Sequence, residues 1–297
     1  MEMQIIRKPE WLKVKLPASR EFKHVKGVLS HFHLHSICQE AYCPNMAECF
    51  QSGTATFLIL GNICTRNCLY CNIKHGKPER VDETEPERLA GAVKELGLQY
   101  VVITSVTRDD LPDGGAEIFA RCVEKLYQEV PGCRVEVLIP DLQGNRDALQ
   151  RVIDVSPHVI NHNMEVVPAF YRELRPEGNY RDSLELLSRA HQYGGKKIIT
   201  KSGFMVGFGE IWSDILALLH DLASVHCERV TIGQYQQPTR DHWPVMKYYH
   251  PDEFEVIKGM AHEMGLKHVE SGPLVRSSYH AAKIGYSELN NTDSQHT

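Results

Sequence analysis

From residue 55 onward, β-rich apolar runs alternate with stretches whose apolar residues recur at helical spacing. The runs lie at 55–60 (ATFLIL), 100–105 (YVVITS), 134–139 (RVEVLI), 158–163, 197–206 and 229–235. Between them, Leu89, Ala92, Val93 and Leu96 mark one helix face, which Gly97 stops. Leu184, Leu187 and Ala190 mark a second face, Ile215, Leu218, Leu219 and Leu222 a third, and Phe254, Ile257, Ala261 and Met264 the last. Thr84 with Glu87, and Asp182 with Glu185, read as capping boxes. The stripes predict core and nothing more. About six strand–helix units imply parallel strands with right-handed crossovers, in an α/β barrel or a doubly wound sheet. Either arrangement places a site at the C-terminal ends of the strands.

Residues 1–50 precede the first strand and read as an extension, residues 51–286 as the main body, and 287–297 (SELNNTDSQHT) as a disordered tail. Neither an internal repeat nor a low-complexity region interrupts this order. At 297 residues with 42% hydrophobic and 24% charged, the chain can bury a core without covalent staples. It holds no apolar run of the roughly 20 residues that a membrane span needs. A net charge of −5 argues against a general nucleic-acid binder. Residues 1–27 depart from that balance, with Arg7, Lys8, Lys13, Lys15, Arg20, Lys23 and Lys26 against Glu2, Glu10 and Glu21. Such an arm is either solvated or meets an acidic protein. Residues 1–20 lack an apolar signal core, so a reducing, cytoplasmic location is expected.

The cysteines change the picture most. Six of nine fall between 38 and 71, as Cys38, Cys43 and Cys49 (C-x4-C-x5-C) and Cys64, Cys68 and Cys71 (C-x3-C-x2-C). A structural zinc site closes with four protein ligands and uses paired C-x2-C arms, although His31, His33 and His35 lie near enough to complete a set. Those histidines alternate like one strand face. Three thiolates suit an iron–sulfur cluster with one iron left for another ligand, and two triads suggest two clusters. The triad Cys64, Cys68 and Cys71 follows directly on the first strand, where a loop-borne cofactor site belongs. Cys122, Cys133 and Cys227 have no ligand spacing and read as buried and inert.

The segment CTRNCLYC, with Tyr70 before the third cysteine, resembles the signature of the radical S-adenosylmethionine (SAM) superfamily. CQEAYCPNMAEC at 38–49 and GPLVRSSY at 272–279 resemble the auxiliary-cluster motifs of lipoyl synthases. RKPEWLKVKLP (7–17), TRDDLPDGG (107–115), ELRPEGNYRDSL (173–184) and TKSGFMVGFGE (200–210) are similar to the same family, so the resemblance runs from about residue 7 to about 281. It implies a partial (βα)6 TIM-like barrel with an N-terminal cluster-binding extension. It implies two [4Fe–4S] clusters and SAM, the first cluster held by Cys64, Cys68 and Cys71 and cleaving SAM to a hydrogen-abstracting radical. The second, held by Cys38, Cys43, Cys49 and a serine of RSSY, would be consumed as the sulfur source. The reaction implied is insertion of two sulfur atoms, at C6 and C8, into an octanoyl chain on a carrier lysine. The implied partners are an octanoylated lipoyl carrier domain or a glycine cleavage H protein, with ferredoxin or flavodoxin as electron donor.

Ser278 is chosen over Ser277 by its place in the motif. A hard oxygen on soft iron makes a bond that releases easily, while the plain alternative is a serine cap. Arg276 would stay beside the site. Gly114 and Gly115 read either as a close approach to SAM or as a tight turn. Tyr70 reads as an adenine contact or a core aromatic. Glu210, with Gly207 and Gly209, reads as a SAM contact on weak grounds. Asp109, Asp110 and Asp113 are cation or SAM ligands, or solvated carboxylates. Lys196, Lys197 and Lys201, with the basic arm, are candidate docking sites for an acidic carrier. A biotin synthase-like enzyme, a tRNA methylthiotransferase and a non-catalytic iron–sulfur protein are the competing functions.

Overall fold

In the computed structural model, residues 7–13, 20–41, 43, 45–51, 56–278 and 281 are described. The strands are β1 (His35–Ser36), β2 (Thr56–Ile59), β3 (Ile63–Cys64), β4 (Lys74–His75), β5 (Tyr100–Ser105), β6 (Arg134–Leu138), β7 (Val159–Asn161), β8 (Ile199–Val206), β9 (Arg229–Gln234) and β10 (His268–Gly272). The helices are α1 (Arg20–His31), α2 (Ile37–Glu40), α3 (Met46–Gln51), α4 (Glu85–Glu95), α5 (Ala116–Glu129), α6 (Arg146–Asp154), α7 (Pro168–Leu174), α8 (Tyr180–Gly194), α9 (Trp212–Ser224) and α10 (Pro251–Glu263). One sheet runs β1-β2-β5-β6-β7-β8-β9-β10, parallel throughout except for β1, which pairs antiparallel with β2. This is the expected barrel-type α/β sheet, with its two edges unpaired among the described residues. The six expected strands are all present. β10, a seventh parallel strand, was not anticipated, because HVESG is short and carries one strongly apolar residue.

The strand pleat explains the layering. Alternate residues such as Val135, Val137, Phe204, Val230 and Ile232 are buried in the helix-facing core. Their neighbours Glu136, Asn161 and Lys201 meet one another on the other face. Lys201 Nζ lies 2.9 and 3.2 Å from the Glu136 oxygens, Asn161 Nδ2 donates to Glu136 at 2.9 Å, and Tyr100 Oη donates to it at 2.6 Å. The barrel floor is therefore a buried ionic plug. The N-terminal extension shares the barrel's core, since Val25, Val28, Leu29, Leu34 and Cys38 belong to the same cluster as Phe57, Leu89 and Val101.

Several local expectations differ from the fold. Thr84 makes no capping bond to α4; its hydroxyl donates instead to Asp82 at 2.7 Å, and α4 starts with Pro86 in its first turn. Asn179 caps α8 through bonds from Arg181 and Asp182 N–H, which places Asp182 inside the helix and leaves Glu185 to pair with Arg146. His31 ends α1, and His33 sits in a left-handed turn (φ 51°), so only His35 lies on a strand. Lys201 is buried in the floor, while Lys196 and Lys197 sit before β8, at the end of the barrel opposite the site described next. The tail from 287 and Lys15 lie outside the described residues.

Candidate active site

A cavity of about 590 Å³ opens at the C-terminal ends of the strands, and both cysteine triads reach it. Cys64, Cys68 and Cys71 line one side, Cys38 and Cys43 another, and Ser277 and Ser278 enter from the C-terminal segment. Cys49 does not line the cavity but lies near enough to Cys43 for their charges to interact. Among the described residues, no three His, Cys, Asp or Glu side chains converge as ligands of a single metal ion. A polynuclear cluster binds each cysteine through a different iron and accommodates a wider spread.

The first triad sits on a loop pinned from several directions. Thr65 N–H donates to Thr107 O at 3.0 Å and Leu69 N–H to Leu174 O at 3.0 Å. Arg66, between Cys64 and Cys68, is buried and forks onto two carboxylates. Its Nε and Nη2 lie 2.7 and 2.9 Å from Asp109, and its Nη1 and Nη2 lie 2.6 and 2.7 Å from Asp141. Burial alone would push the Asp141 carboxyl up. Hydrogen bonds and charge from Arg66, then the charges of Arg175 and His162, outweigh it and hold Asp141 at about 2. The loop after β9 closes over the triad: His242 Nε2 contacts Cys71 O at 3.0 Å, and Trp243 N–H donates to Leu69 O at 2.9 Å.

The second triad is assembled by chain segments remote in sequence. Gly203 and Gly233, on β8 and β9, make room for it. A Cβ on Gly233 would stand 2.2 Å from Val275 O, and one on Gly203 would stand 3.1 Å from Ser277 Oγ. Ser277 donates to Asn163 Oδ1 at 2.9 Å, tying it to the loop after β7. Thr56 Oγ1 donates to Ser278 Oγ at 2.9 Å, while the Thr56 backbone bonds the Cys38 sulfur. Of the two serines, Ser278 is therefore the one coupled to the cysteines of the extension. The charge of Arg276 acts on Cys43 on one side and Glu165 on the other.

None of the nine cysteines forms a disulfide. Cys38 and Cys43 share a hydrogen bond that keeps the proton on Cys38 and holds Cys43 down at about 6, against burial and with help from Arg276. Burial pushes Cys49 up to about 12, Cys68 to about 11 and Cys71 to about 12, and neighbouring thiolates add to each. Buried thiols crowded together, without enough positive charge to ionise them all, fit a cationic iron–sulfur core as the missing counter-charge. Cys122, Cys133 and Cys227 are buried away from the cavity, and burial raises all three.

The other predicted residues are placed as follows. Tyr70 lines the cavity, hydrogen-bonds Cys68 and meets Phe208 edge-on at 6.3 Å. Gly114 and Gly115 adopt φ 61° and 91°, pack on Leu142 and Leu60, and form the turn before α5 without lining the cavity. Glu210 also lies off the cavity, its carboxylate accepting from Gly207 N–H at 2.6 Å and Phe208 N–H at 2.9 Å. Asp109 and Asp110 pair with arginines, and Asp113 caps α5. Sequence reasoning missed Arg66, Asn163, Glu165 and Arg175. Glu165 lines the cavity in a left-handed conformation (φ 68°), accepts from Asn163 Nδ2 at 3.0 Å and is raised by burial. Arg66 was visible inside the cysteine motif and Arg175 inside the segment 173–184; Asn163 and Glu165 had only their position after β7.

Residues 58–222 match the radical SAM superfamily, and residues 2–43 match the N-terminal domain of lipoyl synthase of that family. The chain belongs to the radical SAM superfamily, whose enzymes work with SAM and [4Fe–4S] clusters. Its fold is similar to that of methylornithine synthase (TM-score 0.53, 12% identity, 84% of this chain and 76% of that one). It is also similar to the hydrogenase maturase HydG from Carboxydothermus hydrogenoformans (TM-score 0.53, 17% identity, 76% and 64%). The lipoyl synthase of Proteus mirabilis is 51% identical over 280 residues, 94% of this chain and 87% of the relative. That of Caldicellulosiruptor saccharolyticus is 50% identical over 277 residues, 93% and 97%. Within the superfamily the chain belongs to the lipoyl synthases, which are sulfurtransferases.

Proposed function

We propose that this chain inserts two sulfur atoms, at C6 and C8, into an octanoyl chain carried on a protein lysine, with the two triads holding separate clusters across one cavity. When bound, SAM and the cluster at Cys64, Cys68 and Cys71 supply C–H cleavage, and the cluster at Cys38, Cys43 and Cys49 supplies sulfur. The observation that carries the reading is the shared cavity, in which Ser278 is joined through Thr56 to Cys38. Ser278 is the fourth ligand in this reading, because its oxygen makes a weaker match to iron than a thiolate does.

The chain's own residues prepare the site. Arg66 locks the first loop against Asp109 and Asp141, so the three thiols keep their places without help from the ligand. Arg175 and a hydrogen bond from Tyr70 favour the thiolate form of Cys68 that a cluster binds. Arg276 supplies positive charge between the triads, and Asn163 and Glu165 offer hydrogen-bonding groups to whatever lies there. The enclosing wall of β-strand residues, with Leu58, Leu138 and Met205, is apolar and suits an acyl chain. An octanoylated lipoyl carrier domain or glycine cleavage H protein is the substrate in this reading, and ferredoxin or flavodoxin the electron donor.

The test is an anaerobic reaction of reconstituted protein with SAM, reductant and an octanoyl-lysyl peptide, read by mass spectrometry. Lipoyl product with loss of one cluster per turnover is expected. SAM cleavage with no sulfur in the peptide would move the substrate elsewhere.

A further inference from the structure

Large apolar side chains are exposed at few places among the described residues, and four of these share one end of the barrel. Ile211 is 64% exposed, Met246 52%, Trp212 38% and Trp11 37%. Ile211 and Trp212 follow β8, Met246 lies in the 235–250 loop after β9, and Trp11 lies in segment 7–13. Contacts join them into one surface. A Cβ on Gly209 would be 3.5 Å from Met246 Cγ, Trp212 meets Tyr249 edge-on at 6.4 Å, and Trp11 meets His250 at 4.9 Å. Lys247 Nζ stands 4.0 Å over the Tyr249 ring. The surface reaches the cavity rim through Lys8, whose Nζ donates to Gln236 at 2.8 Å, both residues lining the cavity.

Two of the three segments that build this face are basic, although Lys13 pairs with Glu10 and Lys247 with Glu253, and the third segment carries Asp214 beside Ile211. Segments 7–13 and 235–250 carry Arg7, Lys8, Lys13, Arg240 and Lys247 against Glu10 and Asp241, in a protein of net charge −5. An apolar centre of this kind, rimmed by cations and continuous with a site mouth, has the composition of a protein-binding surface.

We infer that the face running from Trp11 across Met246 to Ile211 and Trp212 docks the folded carrier domain that presents the acylated lysine, through an acidic, partly apolar surface of that domain. The inference rests on the protein-bound substrate proposed above. A domain whose acyl-lysine enters the cavity must stand on its rim, and this face joins exposed apolar area to the basic segments 7–13 and 235–250 beside the cavity mouth. Ile211 and Met246 do not line the cavity, so a short acyl-lysyl peptide bound within it has no need to touch them.

That difference supplies the experiment. The reconstituted double variant Ile211→Ser/Met246→Ser is assayed on an octanoylated carrier domain and on an octanoyl-lysyl peptide, alongside sedimentation of both proteins. Expected is a rise in KM for the domain of about tenfold or more, with peptide kinetics within about twofold of the parent. Salt should weaken domain turnover more than peptide turnover. Equal effects on both substrates, or none on the domain, overturn the docking assignment. So does a parent dimer that the variant dissolves with domain kinetics unchanged, since the face then belongs to a second copy. If the parent converts neither substrate, the proposed activity fails and the docking face with it; a parent that converts the peptide but shows no variant effect sinks the docking face alone.

Discussion

Asp141 is the clearest lever on the loop that carries Cys64, Cys68 and Cys71. Its side chain is 3% exposed and that of Arg66 is 4% exposed, so neither group has solvent to fall back on. The carboxylate accepts two short bonds from Arg66, at 2.6 and 2.7 Å, and a third from Gln143 N–H at 3.0 Å. Breaking a buried pair from one side costs about 3–5 kcal/mol, because the remaining charge stays buried. Arg66 keeps Asp109, so Asp141→Asn is expected to lose about 2–3 kcal/mol, toward or below the bottom of that range. Linkage gives an independent figure. A carboxyl moved from 3.8 to about 2 contributes about 2 kcal/mol at neutral pH. The sign follows from the depressed value: the contribution is complete above pH 3.8 and is lost as pH falls toward 2. Urea unfolding of the cluster-free protein at pH 7 and along an acid series checks both figures. The asparagine variant should unfold earlier at pH 7 and lose less stability than the parent on acidification. Matching urea midpoints at pH 7, or parallel acid limbs, would refute the clamp.

Four further outcomes are expected. Gly233→Ala drives a methyl toward Val275 O, 2.2 Å away, and should displace the serine segment, cost about 1–3 kcal/mol and lower iron at the second triad more than at the first, by spectroscopy of each cluster. Gly259→Ala, in α10 with nothing within 4 Å, is the control and should stabilise by about 1 kcal/mol in the same melts. Lys201→Met takes the ammonium from buried Glu136, leaving it the hydrogen bonds of Asn161 and Tyr100, and should cost about 3 kcal/mol, most of it regained in Lys201→Met/Glu136→Gln, by a double-mutant cycle. Ser278→Ala should retain SAM cleavage and reduce lipoyl product by about 10–100-fold, whereas Ser277→Ala should affect product less; a larger loss in Ser277→Ala would reverse the choice of ligand, and equal losses would refute it.

What the chain declares by itself is whatever depends on local spacing. The alternation of β-rich runs and helical stripes is a property of consecutive residues, so it located six strands and the faces of α4, α8, α9 and α10 without any knowledge of their neighbours, while α5 and α6 went unmarked. The two cysteine triads are equally local, and their spacings already separate cluster chemistry from a paired zinc site. The failures have a common cause. Thr84 and Asp182 carried the right letters for caps, but Thr84, though at the N-cap of α4, gives its hydroxyl to Asp82, and Asp182 falls inside α8 because Asn179 takes the cap. Lys201 reads as a surface cation until Glu136, 65 residues earlier, is seen to share its interior position. Glu210 suited a ligand by type, yet its carboxylate is taken by the N–H groups of its own turn. The joining of Ser278 to Cys38 through Thr56, the cluster clamp of Arg66 and Asp141, and the apolar rim from Trp11 to Ile211 belong wholly to the tertiary structure. Each depends on residues far apart in sequence meeting at one end of a barrel, where parallel strands gather the loops that no sequence window can place side by side.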